Sequence, residues 1–168
     1  MSRHATRMAL VALVLAAACT LDTPLSAQRN ARGNAAPQPT DPFIGTWVLD
    51  RAKSTFTGAV PAWRNHTFER VPTGLRHLTE TRQGDAIYKL QYTFQVDGKD
   101  YPADVAMSVN TVSFKQVDAN TLERAGKLQG DLLETVTYRL SADQKVLTIT
   151  QEILANNTSS VQHFDRKP

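Results

Sequence analysis

The most regular feature of the chain is an alternation across residues 86–96, where Tyr88, Leu90, Tyr92, Phe94 and Val96 fall on one face and Lys89, Gln91, Thr93 and Gln95 on the other. A helix would scatter these side chains around its circumference, whereas a strand collects them on one buried face. Leu147, Ile149 and Ile153 repeat the pattern, with Thr148, Thr150 and Glu152 opposite. Strand-like runs recur at 64–71, 75–82, 111–117, 121–127, 132–140, 146–154 and 160–166. Turn chemistry separates them: Pro72-Thr73-Gly74, Gln83-Gly84-Asp85, Asp97-Gly98, Asp118-Ala119-Asn120, Gly130-Asp131, Ser141-Ala142-Asp143 and Asn156-Asn157. Residues 43–50 read as a turn or short helical cap feeding a first strand, and Arg51 to Ser54 as a polar stretch behind it. The pattern predicts about nine short strands without a helical period, which indicates a sandwich or a barrel. Closure removes sticky sheet edges, so the expectation is an all-β, small antiparallel up-and-down β-barrel of about eight to ten strands.

The first forty residues have a different character. Residues 1–27 read as a secretory signal peptide, with Arg3 and Arg7 at its start, an apolar run over 8–18 and a cleavage site at Pro24-Leu25-Ser26-Ala27. The run is shorter than the roughly 20 residues a transmembrane helix needs, so no transmembrane span is expected. Leu15-Ala16-Ala17-Ala18-Cys19 resembles a bacterial lipoprotein box, with Ala16 where such boxes usually place Leu. Two fates are therefore open: soluble export to the periplasm or beyond, or a lipid anchor at Cys19. Residues 28–40, rich in Asn, Ala, Pro and Gln, read as a flexible linker, leaving 41–168 as the folded domain.

Charge excludes one class of partner. The chain has Lys+Arg 19 against Asp+Glu 16, but setting aside Arg3, Arg7, Arg29, Arg32 and Asp22 brings the folded part to parity. A domain without a basic stripe is poorly suited to neutralise phosphates, so no nucleic acid partner is expected. The single cysteine is Cys19, so the domain has neither a disulfide nor a thiolate site.

Catalytic motifs are equally absent. The sequence has no Gly-x-Ser-x-Gly elbow and no His-Glu-x-x-His, and Gly126 to Gly130 lacks the ending of a phosphate loop. If the turn at Pro72-Thr73-Gly74 pairs Val71 with Leu75, Glu69 faces His77 and His66 faces Glu80, so the two histidines are not opposite each other. One His and one Glu per face fall short of a metal site and suit cross-strand charge pairs instead. No enzyme, metal or cofactor is expected.

One group of residues carries a resemblance. Phe43-Ile44-Gly45-Thr46-Trp47, followed by Leu49 and Lys53-Ser54-Thr55-Phe56, resembles the Gly-x-Trp opening of the lipocalin and calycin barrels. With Asp97-Gly98-Lys99-Asp100-Tyr101-Pro102 and Asp118-Ala119-Asn120-Thr121, the domain is similar to secreted bacterial lipocalin-like (calycin-type) proteins. The resemblance implies a fold signature of Gly45, Trp47 and Arg166, in which the tryptophan closes the barrel floor beneath a basic side chain from the last strand. An ordinary core tryptophan with Arg166 in solvent is the alternative.

Three functions follow. The first is a barrel that binds a small hydrophobic molecule, with Tyr88, Leu90, Tyr92, Phe94, Phe114, Val136, Tyr138, Leu147 and Ile149 as ligand-facing or core residues. The second is an envelope scaffold or interaction module with a filled barrel. The third, a hydrolase or isomerase at the barrel mouth, requires a polar cluster with perturbed pKa values inside.

Overall fold

The computed structural model describes residues 41–103 and 109–168. The leader, the linker and Cys19 lie outside the described residues. A 3-10 turn over Asp41–Phe43 precedes ten strands: β1 Gly45–Thr55, β2 Trp63–Val71, β3 Gly74–Gln83, β4 Ala86–Phe94, β5 Asp100–Pro102, β6 Thr111–Asp118, β7 Thr121–Leu128, β8 Asp131–Leu140, β9 Val146–Ile153 and β10 Thr158–Arg166. They form one antiparallel sheet in the order β4-β3-β2-β1-β10-β9-β8-β7-β6-β5. Every strand pairs with its neighbour in sequence except β4 and β5, which share no ladder, and β1 pairs in addition with β10. The result is a nearly closed up-and-down barrel.

One expectation about the elements needs correction, and one strand escaped the pattern. Arg51 to Ser54 is not a polar connection but continues β1, which Asp50 and Thr55 carry past an irregularity in its pairing with β10. Such a bulge bends a strand without ending it. The tenth strand is β5, only three residues long and too short to show any alternation.

One end of the barrel is filled with aromatic side chains. Phe43, Trp47, Phe68, Phe94, Phe114 and Phe164 are fully buried there. Phe94 and Phe114 stack with ring centroids 3.7 Å apart, although β4 and β6 are not paired, so this stack bridges the gap in the sheet. Below them Trp47 Nε1 donates to the Phe43 carbonyl at 2.9 Å, and the Arg166 guanidinium lies 4.1 Å from the indole centroid. Arg166 also donates to the carbonyls of Ile44, Pro42 and Gln144, tying the end of β10 to the chain entering β1. Gly45 makes room for this arm: a Cβ there would sit 3.1 Å from Arg166 Nη1, on backbone with φ of +130° that side chains rarely adopt.

The β2–β3 hairpin departs from its expected register, and the difference decides what the barrel contains. Val71 pairs with Gly74, so Phe68 faces His77, His66 faces Thr79 and Glu69 faces Arg76. The turn consists of Pro72 and Thr73 alone because Gly74 already belongs to β3, with φ of +141° and its Cα against the Phe94 carbonyl, 2.3 Å from where a Cβ would stand. A slip of one residue exchanges the faces of a strand relative to its partner. His77 is thereby turned inward beside His66, and Glu69 and Glu80 pair on the outside with Arg76 and Lys89.

Candidate functional site

The other end of the barrel is lined differently. Along β2 the inward side chains run Arg64, His66, Phe68, and along β3 Thr81, Thr79, His77, Leu75, so that aromatic packing gives way to polar groups with height. The same change occurs across the barrel, where Tyr138, Val136 and Glu134 ascend β8 and Ile149 and Gln151 ascend β9. Between these walls lies a cavity of about 350 Å³, opening toward Gln83 and Tyr88 at the β3–β4 turn.

Two hydrogen-bonded groups form its base. In the first, His66 Nδ1 and His77 Nε2 are 2.8 Å apart, His77 Nδ1 lies 2.7 Å from the Tyr92 hydroxyl, and Thr79 Oγ1 lies 3.1 Å from His66 Nδ1. The His77 ring stacks on Phe68 at 4.2 Å and the His66 ring stands edge-on to Phe164 at 4.7 Å. Burial holds both imidazoles neutral: it lowers His77 to about 3, with help from the Arg124 charge, and takes His66 well below its ordinary value, helped by His77, Arg64 and Arg124. Burial likewise raises the Tyr92 and Tyr138 hydroxyls above theirs.

The second group is an ion pair. Arg124 Nη2 donates to Glu134 Oε1, and Gln151 Nε2 donates to the other carboxylate oxygen, with the two ionic side chains only 4% and 9% exposed. Burial opposes the Arg124 cation, but Tyr92, Tyr138 and Glu134 more than offset it, and its pKa rises. Gly126 provides the space for the carboxylate arm, since a Cβ there would lie 2.7 Å from Glu134 Cγ. Among the described residues Arg124 Nε has no hydrogen-bond partner, which is rare for a buried donor.

Arg64 stands apart from this pair. Its Nε donates to Thr81 Oγ1 at 3.0 Å and its Nη1 to Gln162 Oε1 at 2.7 Å, both neutral acceptors. Among the described residues no carboxylate pairs with it, and burial alone lowers its pKa.

The nine residues expected to face a ligand or the core divide between two places. Tyr88, Leu90, Tyr92, Val136, Tyr138 and Ile149 border the cavity, whereas Phe94, Phe114 and Leu147 belong to the packed floor. Tyr88 is no core residue, because it is 61% exposed at the rim, where β4 runs beyond the packed interior. Sequence reasoning missed Arg64, His66, His77, Arg124, Glu134 and Gln151 as interior groups. Period two in β2 and β8 places Arg64 and His66 with Phe68, and Glu134 with Val136 and Tyr138, so that signal was present; the β3 register was hidden in the geometry of Gly74. Among the described residues no three His, Cys, Asp or Glu side chains converge as metal ligands, and no helix is long and apolar enough to cross a membrane.

No protein-family model and no curated protein matches the sequence. Solved structures do match the fold. A Schistosoma mansoni fatty acid binding protein in complex with arachidonic acid aligns with a TM-score of 0.56 and 10% identity, over 78% of this chain and all of that one. As-p18, an extracellular fatty acid binding protein, gives 0.56 and 17% over the same shares. The REP1-NXSQ fatty acid transporter gives 0.51 and 11%, over 75% of this chain and 96% of that one. At these identities the likeness is one of fold, a calycin-type, lipocalin-like barrel.

Proposed function

We propose that the barrel takes up a small, largely apolar molecule in its interior. The observation that carries this reading is the cavity itself: about 350 Å³ of space bordered by Leu90, Val136 and Ile149, in a barrel whose other end holds the buried aromatic cluster. Such a volume is at the lower end of the range of roughly 300–1,000 Å³ found for small-molecule sites. Fatty-acid-binding neighbours of the same fold support a hydrophobic ligand. At roughly 30 Å³ per water-sized group, the space admits about a dozen methylene-sized groups. Native mass spectrometry of freshly purified protein tests this: a co-purifying molecule of up to a few hundred daltons supports it, and failure of the protein to bind any ten-carbon amphiphile would defeat it.

A filled scaffold fits the cavity less well, because empty space inside a barrel sacrifices packing. A polar cluster of the kind chemistry would require does lie inside the barrel, as His66, His77 and Tyr92 at the base of the cavity. Their rings are engaged with one another, and among the described residues the only serine or threonine hydroxyl bonded to them is that of Thr79 and no carboxylate orients either imidazole. Binding is therefore the better reading. We also propose that the domain acts after export, with residues 1–27 removed. Intact mass of the mature chain decides between a start at Gln28 and an acylated Cys19.

A further inference from the structure

The charges around the cavity do not cancel. Arg124 is matched by Glu134 through a direct hydrogen-bonded pair, and Lys89 at the rim is matched by Glu80 at 2.7 Å. Arg64 alone among the cavity's cations meets only neutral acceptors, Thr81 and Gln162, which leaves its Nη2 without an acceptor among the described residues. β2 and β7 stand five strands apart in a ring of ten, so Arg64 and Arg124 occupy opposite walls. Arg64 sits toward the open end at the second residue of β2, while Arg124, 4% exposed, has one donor without a partner among the described residues, its Nε–H. A half-buried guanidinium with no counter-charge binds an anion more strongly than a surface one, since less water competes.

Building on the cavity-binding reading, we infer that the ligand is a monoanionic amphiphile whose carboxylate-class head pairs with Arg64 near the mouth. Its apolar part lies against Leu90, Val136 and Ile149, and the Arg124–Glu134 pair remains intact beneath it. This arrangement places the charged group at the entrance and excludes cations of the same length, because an ammonium there would face Arg64.

The test compares three probes of one length, decanoate, decanol and decylammonium, by calorimetry on the full mature protein at pH 7.5. Wild type is expected to bind decanoate at least about 10-fold more tightly than decanol, and decylammonium most weakly. Arg64→Gln removes the preference by weakening decanoate about 10-fold while leaving decanol unchanged. Arg64→Lys restores most of the preference, which a merely structural role for the arginine would not produce. A preference for decanoate that survives in Arg64→Gln overturns the assignment, as does equal binding of decanoate and decanol, the latter leaving the apolar-cavity reading intact. Binding of none of the three overturns both.

Discussion

The buried ion pair beneath the cavity can be broken from one side without changing its shape. Glu134→Gln keeps an acceptor for Arg124 and nearly the same volume, but leaves the guanidinium without a counter-charge among Tyr92, Tyr138 and Val136. Removing one member of a buried pair costs about 3–5 kcal/mol. The retained hydrogen bond argues for the lower end, so a loss of about 3 kcal/mol is expected. At roughly 4 °C per kcal/mol for a domain of this size, the melting temperature should fall by about 12 °C, read by circular dichroism at pH 7.5. The double variant Arg124→Met/Glu134→Leu buries no charge and should return to within about 1 kcal/mol of wild type or exceed it. A Glu134→Gln protein that melts within about 2 °C of wild type would refute the view that Arg124 is held buried by its carboxylate. A double variant less stable than the single one would refute it equally.

Three further outcomes follow from the same geometry. Trp47→Phe loses the bond from Nε1 to the Phe43 carbonyl and weakens the contact with Arg166, which should cost about 1–3 kcal/mol in urea unfolding; full stability would remove the floor-closing role of the indole. His66 and His77 are neutral when folded but have ordinary values near 6.5 when unfolded, so the unfolded chain binds more protons below that pH. Their contribution is present above pH 6.5 and is lost as the pH falls toward their depressed folded values. Between pH 6 and 5 the unfolding free energy should accordingly drop by up to about 2.7 kcal/mol per pH unit, half of it removed in a His77→Phe variant, whereas a flat profile would contradict their burial as neutral rings. Gly126→Ala drives a methyl group into Glu134 Cγ and toward Val109 Cγ1, 3.0 Å away, and should cost about 1–3 kcal/mol by thermal melting; an unchanged melting temperature would show that Glu134 has room elsewhere.

Alternation made the architecture readable. Residues such as Leu90, Tyr92 and Phe94 declare their strand because the sheet buries one face and wets the other, and the turns between strands carry glycine, asparagine and aspartate where the backbone needs them. Gly45, Trp47 and Arg166 lie together at the closed end, with the guanidinium over the indole. The interior polar groups were harder to read, for a physical reason. Arg124 and Glu134 sit on different strands, and only the β7–β8 register brings an arginine and a glutamate, each unremarkable in sequence, into one buried pair. The two histidines depended on a single residue of register, since pairing Val71 with Gly74 instead of Leu75 turns His77 from the outside to the inside. Hydrophobic patterning marks Phe94 and Ile149 alike as inward-facing; whether neighbours fill the space before such a side chain depends on the heights of residues on opposite walls, which no local pattern carries.

Methyl-resolved nuclear magnetic resonance tests in one titration whether the upper half of the barrel takes up a ligand while the lower half stays a packed floor. With isotope-labelled isoleucine, leucine and valine methyl groups, adding decanoate should shift Leu90, Val136 and Ile149 in a saturable manner and leave Leu122 and Leu147 near their starting positions. Shifts confined to the exposed Val60, Val117 and Leu154, or no saturable shift at Ile149, would show that the barrel binds nothing inside.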